Sequence, residues 1–122
     1  MANILAVDDM RSMRELVKSV LEKHGHSVTT MEDGDSALAF AQNSAVDLVI
    51  SDINMPNMTG LELIAELRLL PTYANTPILM LTTEDTAEKK QTARSAGANG
   101  WIQKPFNPDR LATAVEKTLK KA

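Results

Sequence analysis

The sequence contains no cysteine. This absence excludes disulfide bonds, thiolate metal sites and cysteine nucleophiles. Long apolar runs are also missing, because stretches such as Ile4–Val7 and Ile78–Leu81 have four residues, whereas a helix that spans a bilayer needs about 20. There is no excess of basic charge either, since 13 Lys and Arg against 16 Asp and Glu give a net charge of −3. We therefore expect no membrane span, no signal peptide and no general affinity for nucleic acid.

The overall composition is typical of one globular domain. The 122 residues are 43% hydrophobic and 24% charged, which is close to average globular usage. A chain of this size buries roughly two thirds of its unfolded surface on folding, so disorder is excluded as the main state. We expect a single domain over residues 1–122 with no second domain, in a soluble, cytoplasmic and monomeric protein.

Short aliphatic runs alternate with longer segments whose apolar residues recur at helical spacing, which is the pattern of βα units around a parallel sheet. Five strands are predicted, at Asn3–Val7, Ser27–Met31, Asp47–Ser51, Thr76–Leu81 and Asn99–Ile102. A helix is predicted after each strand, and the apolar face of the first helix is predicted to consist of Met13, Leu16, Val17, Val20 and Leu21. The fourth helix, over Thr86–Ala96, has only alanines to bury, so we expect it to pack loosely and to be a candidate moving part.

The order of the strands follows from their polarity. Central strands of parallel sheets are continuous apolar runs, whereas edge strands tolerate polar residues. The second strand carries two threonines and the fifth is interrupted by Gly100, so these two are predicted to be the edges. The order 2-1-3-4-5 satisfies this condition and gives a flavodoxin-like, doubly wound α/β fold of the (βα)5 type. Ligands of such sheets bind beyond the carboxyl ends of the strands, where the crossover direction reverses.

Polar side chains follow four of the predicted strands, namely Asp8, Asp9, Asp52, Thr82, Thr83 and Lys104. Taken singly, each has an ordinary explanation. An Asp pair after a strand is commonly a helix cap with its solvated neighbour, Asp52 suits a turn, and a lone lysine is usually solvated. However, the topology brings three carboxylates and one lysine to the same rim, which makes coincidence the weaker explanation.

Three clustered carboxylates repel one another unless a cation compensates them. All the available ligands are oxygen atoms, which favours Mg²⁺ with a few carboxylates and several waters. A phosphoryl group on Asp52 would then have Mg²⁺ on one oxygen, Lys104 on a second, and the Thr82 hydroxyl with backbone N–H groups on the rest. A carboxylate is a suitable nucleophile for this transfer because it needs no general base at neutral pH.

Four segments resemble the response regulator receiver family, and most closely its single-domain chemotaxis members of the CheY type. They are ILAVDDM at 4–10, LVISDINMPNMTGLELI at 48–64, ILMLTTED at 78–85 and GWIQKPF at 100–106. The resemblance covers the whole chain. It implies that Asp52 is the phosphoacceptor and that Lys104, before a cis Pro105, binds the phosphoryl group. It also implies a Mg²⁺ site with Asp9, Asp52 and the backbone carbonyl of Asn54 as ligands, and with Asp8 either as a further ligand or as a group that supports the ligands.

The resemblance further implies a conformational switch. Phosphorylation would draw Thr82 inward and leave space for an aromatic side chain on the fifth strand, here Trp101, where the family more often has Tyr or Phe. Asn54 and Glu84 occupy the positions that influence how fast water removes the phosphoryl group, and they are similar to the pair in members that turn over quickly. Partners would bind the face formed by the fourth helix, the fifth strand and the fifth helix.

The expected function is therefore a phosphorylation-activated switch of a two-component system. A CheA-like histidine kinase would supply the phosphoryl group, a flagellar motor switch protein is the leading effector, and a phosphatase partner is possible. The chain would catalyse only its own phosphorylation and dephosphorylation. A phosphate sink, another motility regulator and a receiver excised from a longer protein remain open.

Two functions from other classes agree less well with the sequence. A Mg²⁺-dependent aspartate-nucleophile phosphatase needs Asp-x-Asp after the first strand, whereas Asp8 and Asp9 are adjacent. A flavodoxin-like electron carrier needs a phosphate-binding loop there, and the acidic pair would repel a flavin phosphate.

Overall fold

Five parallel strands form one sheet in the order β2-β1-β3-β4-β5, which confirms the prediction. The computed structural model describes residues 2–121. Its strands are β1 (Asn3–Val7), β2 (Ser27–Met31), β3 (Leu48–Ser51), β4 (Ile78–Thr82) and β5 (Gly100–Gln103). Its helices are α1 (Arg11–Lys23), α2 (Gly34–Asn43), α3 (Gly60–Leu69), α4 (Ala87–Ala96) and α5 (Pro108–Lys121), with a 3-10 turn at Pro71–Tyr73. Within this part of the chain, no helix is long and apolar enough to cross a membrane.

Three strands begin one or two residues later than the sequence pattern predicts, at Leu48, Ile78 and Gly100. For β4 the cause is Pro77, which has no N–H to donate to a ladder. At its other end β4 includes Thr82, whose carbonyl oxygen accepts a hydrogen bond from the Lys104 amide at 2.8 Å. β2 and β5 are the edge strands, as their polarity predicts.

The sheet is buried on both faces, so the fold has three layers. Alternate residues of β1 point to opposite faces of the sheet. Ile4 and Ala6 belong to the core under α1 and α5, whereas Leu5 and Val7 belong to the core under α2, α3 and α4. This two-sided burial explains why the central strands are continuous apolar runs.

One helical residue does not lie where its spacing suggests. Leu16 was expected on the buried face of α1, but it is 42% exposed. The buried stripe of this helix consists of Val17, Val20 and Leu21, and Leu16 lies beside that stripe on the helix surface.

Helix α4 has little buried surface. Its first turn is capped by Thr86, whose side chain accepts the Lys89 amide, and its only buried residue is Ala93, in agreement with a segment that has only alanines to bury. It ends at Gly97, which has a positive φ of 119° and favours glycine because a Cβ is strained there.

The C-terminal end of α4 is held by Arg68 of α3. The Arg68 guanidinium donates hydrogen bonds of 2.6 to 3.1 Å to four oxygen atoms, which are the carbonyls of Tyr73, Thr76 and Gly97 and the side-chain oxygen of Asn99. The Arg68 side chain therefore connects α3, the 3-10 turn and the end of α4. These contacts lie at the amino ends of β4 and β5, whereas the predicted site lies beyond the carboxyl ends of the strands.

Candidate functional site

The strand register brings the predicted site residues to one rim. The amide of Asp8 donates to the end of β2 at 3.2 Å, that of Asp52 to the end of β1 at 3.1 Å, and that of Lys104 to the end of β4 at 2.8 Å. Each of the three residues therefore stands one position beyond its strand while still bonded to the neighbouring strand. This bonding fixes where their side chains begin.

Lys104 bridges two of the carboxylates. Its Nζ lies 2.6 Å from Asp8 Oδ2 and 3.1 Å from Asp52 Oδ2. The three residues are 5 to 8% exposed, so water screens their interaction weakly. Hydrogen bonds between charged groups of this kind are roughly twice as strong as those between neutral groups. Lys104 is thus a fixed positive charge beside Asp52, as the sequence predicts.

The third carboxylate completes an acidic cluster. Oxygen atoms of Asp8, Asp9 and Asp52 lie within 4.8 Å of one another. When all are ionised, three carboxylates against the Lys104 ammonium leave two negative charges unbalanced. A divalent cation with oxygen ligands would balance this charge, so the donor set fits Mg²⁺.

The three carboxylates differ in the number of hydrogen bonds that each already accepts. Asp8 accepts the Met10 amide at Oδ1, 2.9 Å away, and Lys104 at Oδ2. Asp52 Oδ1 accepts the Ile53 amide at 2.7 Å. Asp9 is exposed. Asp52 Oδ2 also accepts Lys104 at 3.1 Å, so both buried carboxylates are engaged and the open side of the cluster lies towards Asp9.

The charges also shift proton affinities. Burial raises the pKa of Asp8 above its usual range, and this effect outweighs the hydrogen bonds from Lys104 and Met10, which lower it. Burial alone would lower the pKa of Lys104, but the hydrogen bond and charge of Asp8, together with those of Asp52, raise it overall. Asp8 therefore carries the desolvation penalty of the cluster, which a nearby cation would reduce.

Helix capping does not explain these aspartates. The N-cap of α1 is Met10, whose own side chain makes no capping hydrogen bond. Helix α3 is capped by Thr59, which forms a reciprocal capping box with Glu62. Neither the Asp8–Asp9 pair nor Asp52 is therefore needed to begin a helix.

The predicted switch and turnover residues meet at Glu84. Its amide donates to the Thr82 hydroxyl at 3.3 Å, and its carbonyl oxygen accepts the Trp101 indole N–H at 3.1 Å. Its carboxylate accepts the side-chain amide of Asn54 at 3.3 Å. Thr82 is fully buried and Trp101 is half-buried. The loop after β4 thus connects all four side chains.

Two features lie just outside this network. The Lys90 ammonium is 6.0 Å from the centroid of the Trp101 ring, within the range of a cation–π interaction. The peptide bond from Lys104 to Pro105 is cis, as the family resemblance implied.

Two residues that contact the site were not identified from the sequence. Arg14 donates to the backbone carbonyl of Asp8 at 2.7 Å, and no sequence signal marks such a bond. At Gly60, a Cβ would collide with the backbone carbonyl of Asp52. For Gly60, a signal was available in the sequence: it is a glycine at the start of a helix, shortly after Asp52.

Comparisons with known proteins find similarity over nearly the whole chain. The family model described as the response regulator receiver domain matches residues 4–116. A Campylobacter jejuni protein named as a chemotaxis protein CheY homolog is 40% identical over 118 residues, which are 95% of this chain and 91% of that protein. The regulatory protein VanRc of Enterococcus gallinarum is 34% identical over 97% of this chain, but over 50% of its own length.

Solved structures give the same result. The chemotaxis protein CheY4 of Vibrio cholerae superposes with a TM-score of 0.94 at 48% identity, and the match covers 97% of this chain and 98% of that one. The similarity thus extends over nearly the whole of both molecules.

Proposed function

Because the chain belongs to the response regulator receiver family and is a CheY-like regulator of chemotaxis type, we propose that it is switched on by phosphorylation of Asp52. The observation that carries the proposal is the position of this carboxylate. Asp52 is 3.1 Å from the buried Lys104 ammonium and belongs to an acidic cluster suited to one divalent cation.

Asp52 would act as the nucleophile. One of its carboxylate oxygens attacks the phosphorus atom of a phosphohistidine or a small phosphodonor, and the bond between phosphorus and the donor atom breaks. The leaving group departs with the electron pair of that bond. No general base is required, because the carboxylate already carries its negative charge at neutral pH.

The neighbouring side chains would bind the transferred group. Lys104 would donate from its ammonium to one phosphoryl oxygen, and Thr82 would donate its hydroxyl proton to another once it turns from Glu84 towards Asp52. Asp9, Asp52 and the backbone carbonyl of Asn54 would hold Mg²⁺, with Asp8 in support. When bound, the cation would neutralise negative charge on the phosphoryl oxygens.

The signal would leave through the face formed by α4, β5 and α5. Helix α4 has a single buried residue, and Trp101 of β5 is bonded to the same loop as Thr82. A change at Thr82 would therefore reach this face directly. A CheA-like histidine kinase is the proposed phosphodonor and a flagellar motor switch protein the proposed effector, with a phosphate sink as the alternative within the same family.

Intact-mass measurement after incubation with acetyl phosphate and Mg²⁺ tests the proposal. We expect one labile phosphoryl adduct on the wild-type protein and none on Asp52→Asn. Asp35→Asn is the matched control because Asp35 is an exposed aspartate in the first turn of α2; this variant should be labelled normally. An adduct that persists in Asp52→Asn, or that forms equally well in EDTA, would contradict the proposal.

A further inference from the structure

Arg14 lies on α1, outside the set of residues assigned to the phosphorylation site. We infer that Arg14 is a positioning residue, which orients the Asp8–Asp9 segment for divalent cation binding by holding the Asp8 carbonyl. This inference rests on the proposed function, because it concerns the Mg²⁺ site assigned there.

The segment has few other supports. Within residues 2–121, no backbone amide donates to the Asp8 carbonyl, whereas Arg14 Nη1 lies 2.7 Å from it. In the turn that follows, the N-cap residue Met10 makes no side-chain capping bond, and the Met10 amide donates to Asp8 Oδ1 at 2.9 Å. Among the described residues, the charged hydrogen bond from Arg14 is therefore the contact made directly with the carbonyl of the peptide between Asp8 and Asp9.

The orientation of this peptide matters for Asp9 in particular. Asp8 is fixed through both carboxylate oxygens, by Met10 and Lys104. Asp9 is exposed, and its amide nitrogen belongs to the peptide whose carbonyl Arg14 holds. Arg14 thus fixes the backbone from which the proposed direct ligand projects, and contacts that orient metal ligands typically contribute about 10-fold or more to affinity.

The charge of Arg14 and its hydrogen bond to the Asp8 carbonyl predict opposite effects on the affinity for Mg²⁺. A guanidinium near a divalent cation repels it, so the loss of charge alone would strengthen Mg²⁺ binding. Loss of the hydrogen bond would let the Asp8–Asp9 peptide rotate and would weaken binding. The sign of the change therefore separates a positioning role from a purely electrostatic one.

The test compares three variants of the full chain. Arg14→Met removes both the charge and the donor, whereas Arg14→Lys keeps the charge and one donor group. Arg11→Met is the matched control, because Arg11 lies on the same helix, pairs with Glu15 and has a side chain that is 83% exposed. Mg²⁺ is titrated against the backbone amide signals of each protein by NMR, and circular dichroism verifies that each is folded.

We expect the dissociation constant for Mg²⁺ to rise about 10-fold in Arg14→Met, to recover partly in Arg14→Lys, and to stay the same or fall in Arg11→Met. Hydrogen exchange of the Met10 amide, which donates to Asp8 Oδ1, should be faster in metal-free Arg14→Met than in the wild type. Unchanged or tighter Mg²⁺ binding in Arg14→Met, or equal weakening in Arg11→Met, would overturn the inference.

The two proposals fail differently. Absence of Mg²⁺ binding in the wild-type protein would contradict the proposed metal site. If Arg14→Met does not fold, Arg14→Lys and the exchange rate of the Met10 amide decide the question, and wild-type values for both would overturn the role of Arg14.

Discussion

The indole N–H of Trp101 donates a hydrogen bond to the backbone carbonyl of Glu84 at 3.1 Å. Glu84 also binds the Thr82 hydroxyl through its amide and the Asn54 side chain through its carboxylate. Its backbone is thus bonded to both predicted switch residues, and its side chain is bonded to the partner that affects turnover. A displacement of Thr82 must therefore change the loop that holds Trp101.

Trp101 should report activation by fluorescence. Because it is the only tryptophan, its emission is unambiguous, and rotation towards the interior would change both its hydrogen bond and its exposure to water. We expect a shift in its emission maximum when Mg²⁺ and beryllofluoride are added together, and no shift in Asp52→Asn. An unchanged spectrum, with binding confirmed by another method, would count against the inward rotation.

Replacement of Glu84 by Ala should prolong the phosphorylated state. The change removes the carboxylate that lies 3.3 Å from the Asn54 side chain, and with it the pair expected to favour attack by water. We expect hydrolysis to slow about 10-fold, equivalent to about 1.4 kcal/mol in the barrier. The lifetime can be followed by phosphate release, with Glu88→Ala as the control because Glu88 is exposed in the first turn of α4. Equal lifetimes in the two variants would refute this role of Glu84.

Gly60→Ala should be more damaging than Gly34→Ala, although each glycine is the first residue of a helix. A Cβ at Gly60 would collide with the backbone carbonyl of Asp52, whereas the nearest atoms to a Cβ at Gly34 belong to the side chain of Met58, which can move more readily than backbone. We expect Gly60→Ala to lower the free energy of unfolding by about 1 to 3 kcal/mol and to slow labelling of Asp52. Urea unfolding and acetyl phosphate labelling measure the two effects, and similar values for both variants would show that the backbone accommodates the methyl group.

The raised pKa of Asp8 gives a pH dependence with a definite sign. A carboxyl group whose pKa is raised above 3.8 binds its proton more tightly in the folded protein. Its contribution to stability is complete below about pH 3.8 and is lost as the pH rises through the folded-state pKa. Asp8→Asn should therefore gain stability relative to the wild type as the pH rises through this interval.

This prediction is measured by urea unfolding in EDTA at a series of pH values, with the two proteins compared at each pH. All other ionisable groups are common to both proteins, so their contributions largely cancel. A difference that stays flat, or that shrinks as the pH rises, would contradict the raised pKa. Added Mg²⁺ should reverse the trend by stabilising the wild type.

The strand order and the convergence of the aspartates could be predicted from the sequence because both follow from the distribution of apolar and polar residues along the chain. Burial on both faces makes the central strands β1, β3 and β4 apolar, and a parallel sheet places the ends of all its strands at one rim. The order therefore places Asp52 and Lys104 on the same rim with β4 between their strands, and the long lysine side chain spans this separation. The starts of β3, β4 and β5 were harder to predict because the flanking residues are compatible with extended structure.

The contacts of Arg14 and Arg68 could not be predicted, and the physical reason is the same for both. Each guanidinium binds backbone carbonyl oxygens, and every residue has such an oxygen whatever its side chain. No pairing of residue types therefore marks these contacts. The exposure of Leu16 was missed because helical spacing identifies a stripe but not its width.

The two ends of this molecule should respond differently to the solvent. At one end, Asp8, Asp52 and Lys104 interact through formal charges, which protons and dissolved ions can alter. At the other, Arg68 is bonded to four neutral oxygens that do not titrate near neutrality. Acidification or a change in ionic strength would therefore alter the interactions of Asp8, Asp52 and Lys104 but not the hydrogen bonds of Arg68. The C-terminal end of α4 would thus stay in place while the charges at the other end of the sheet change.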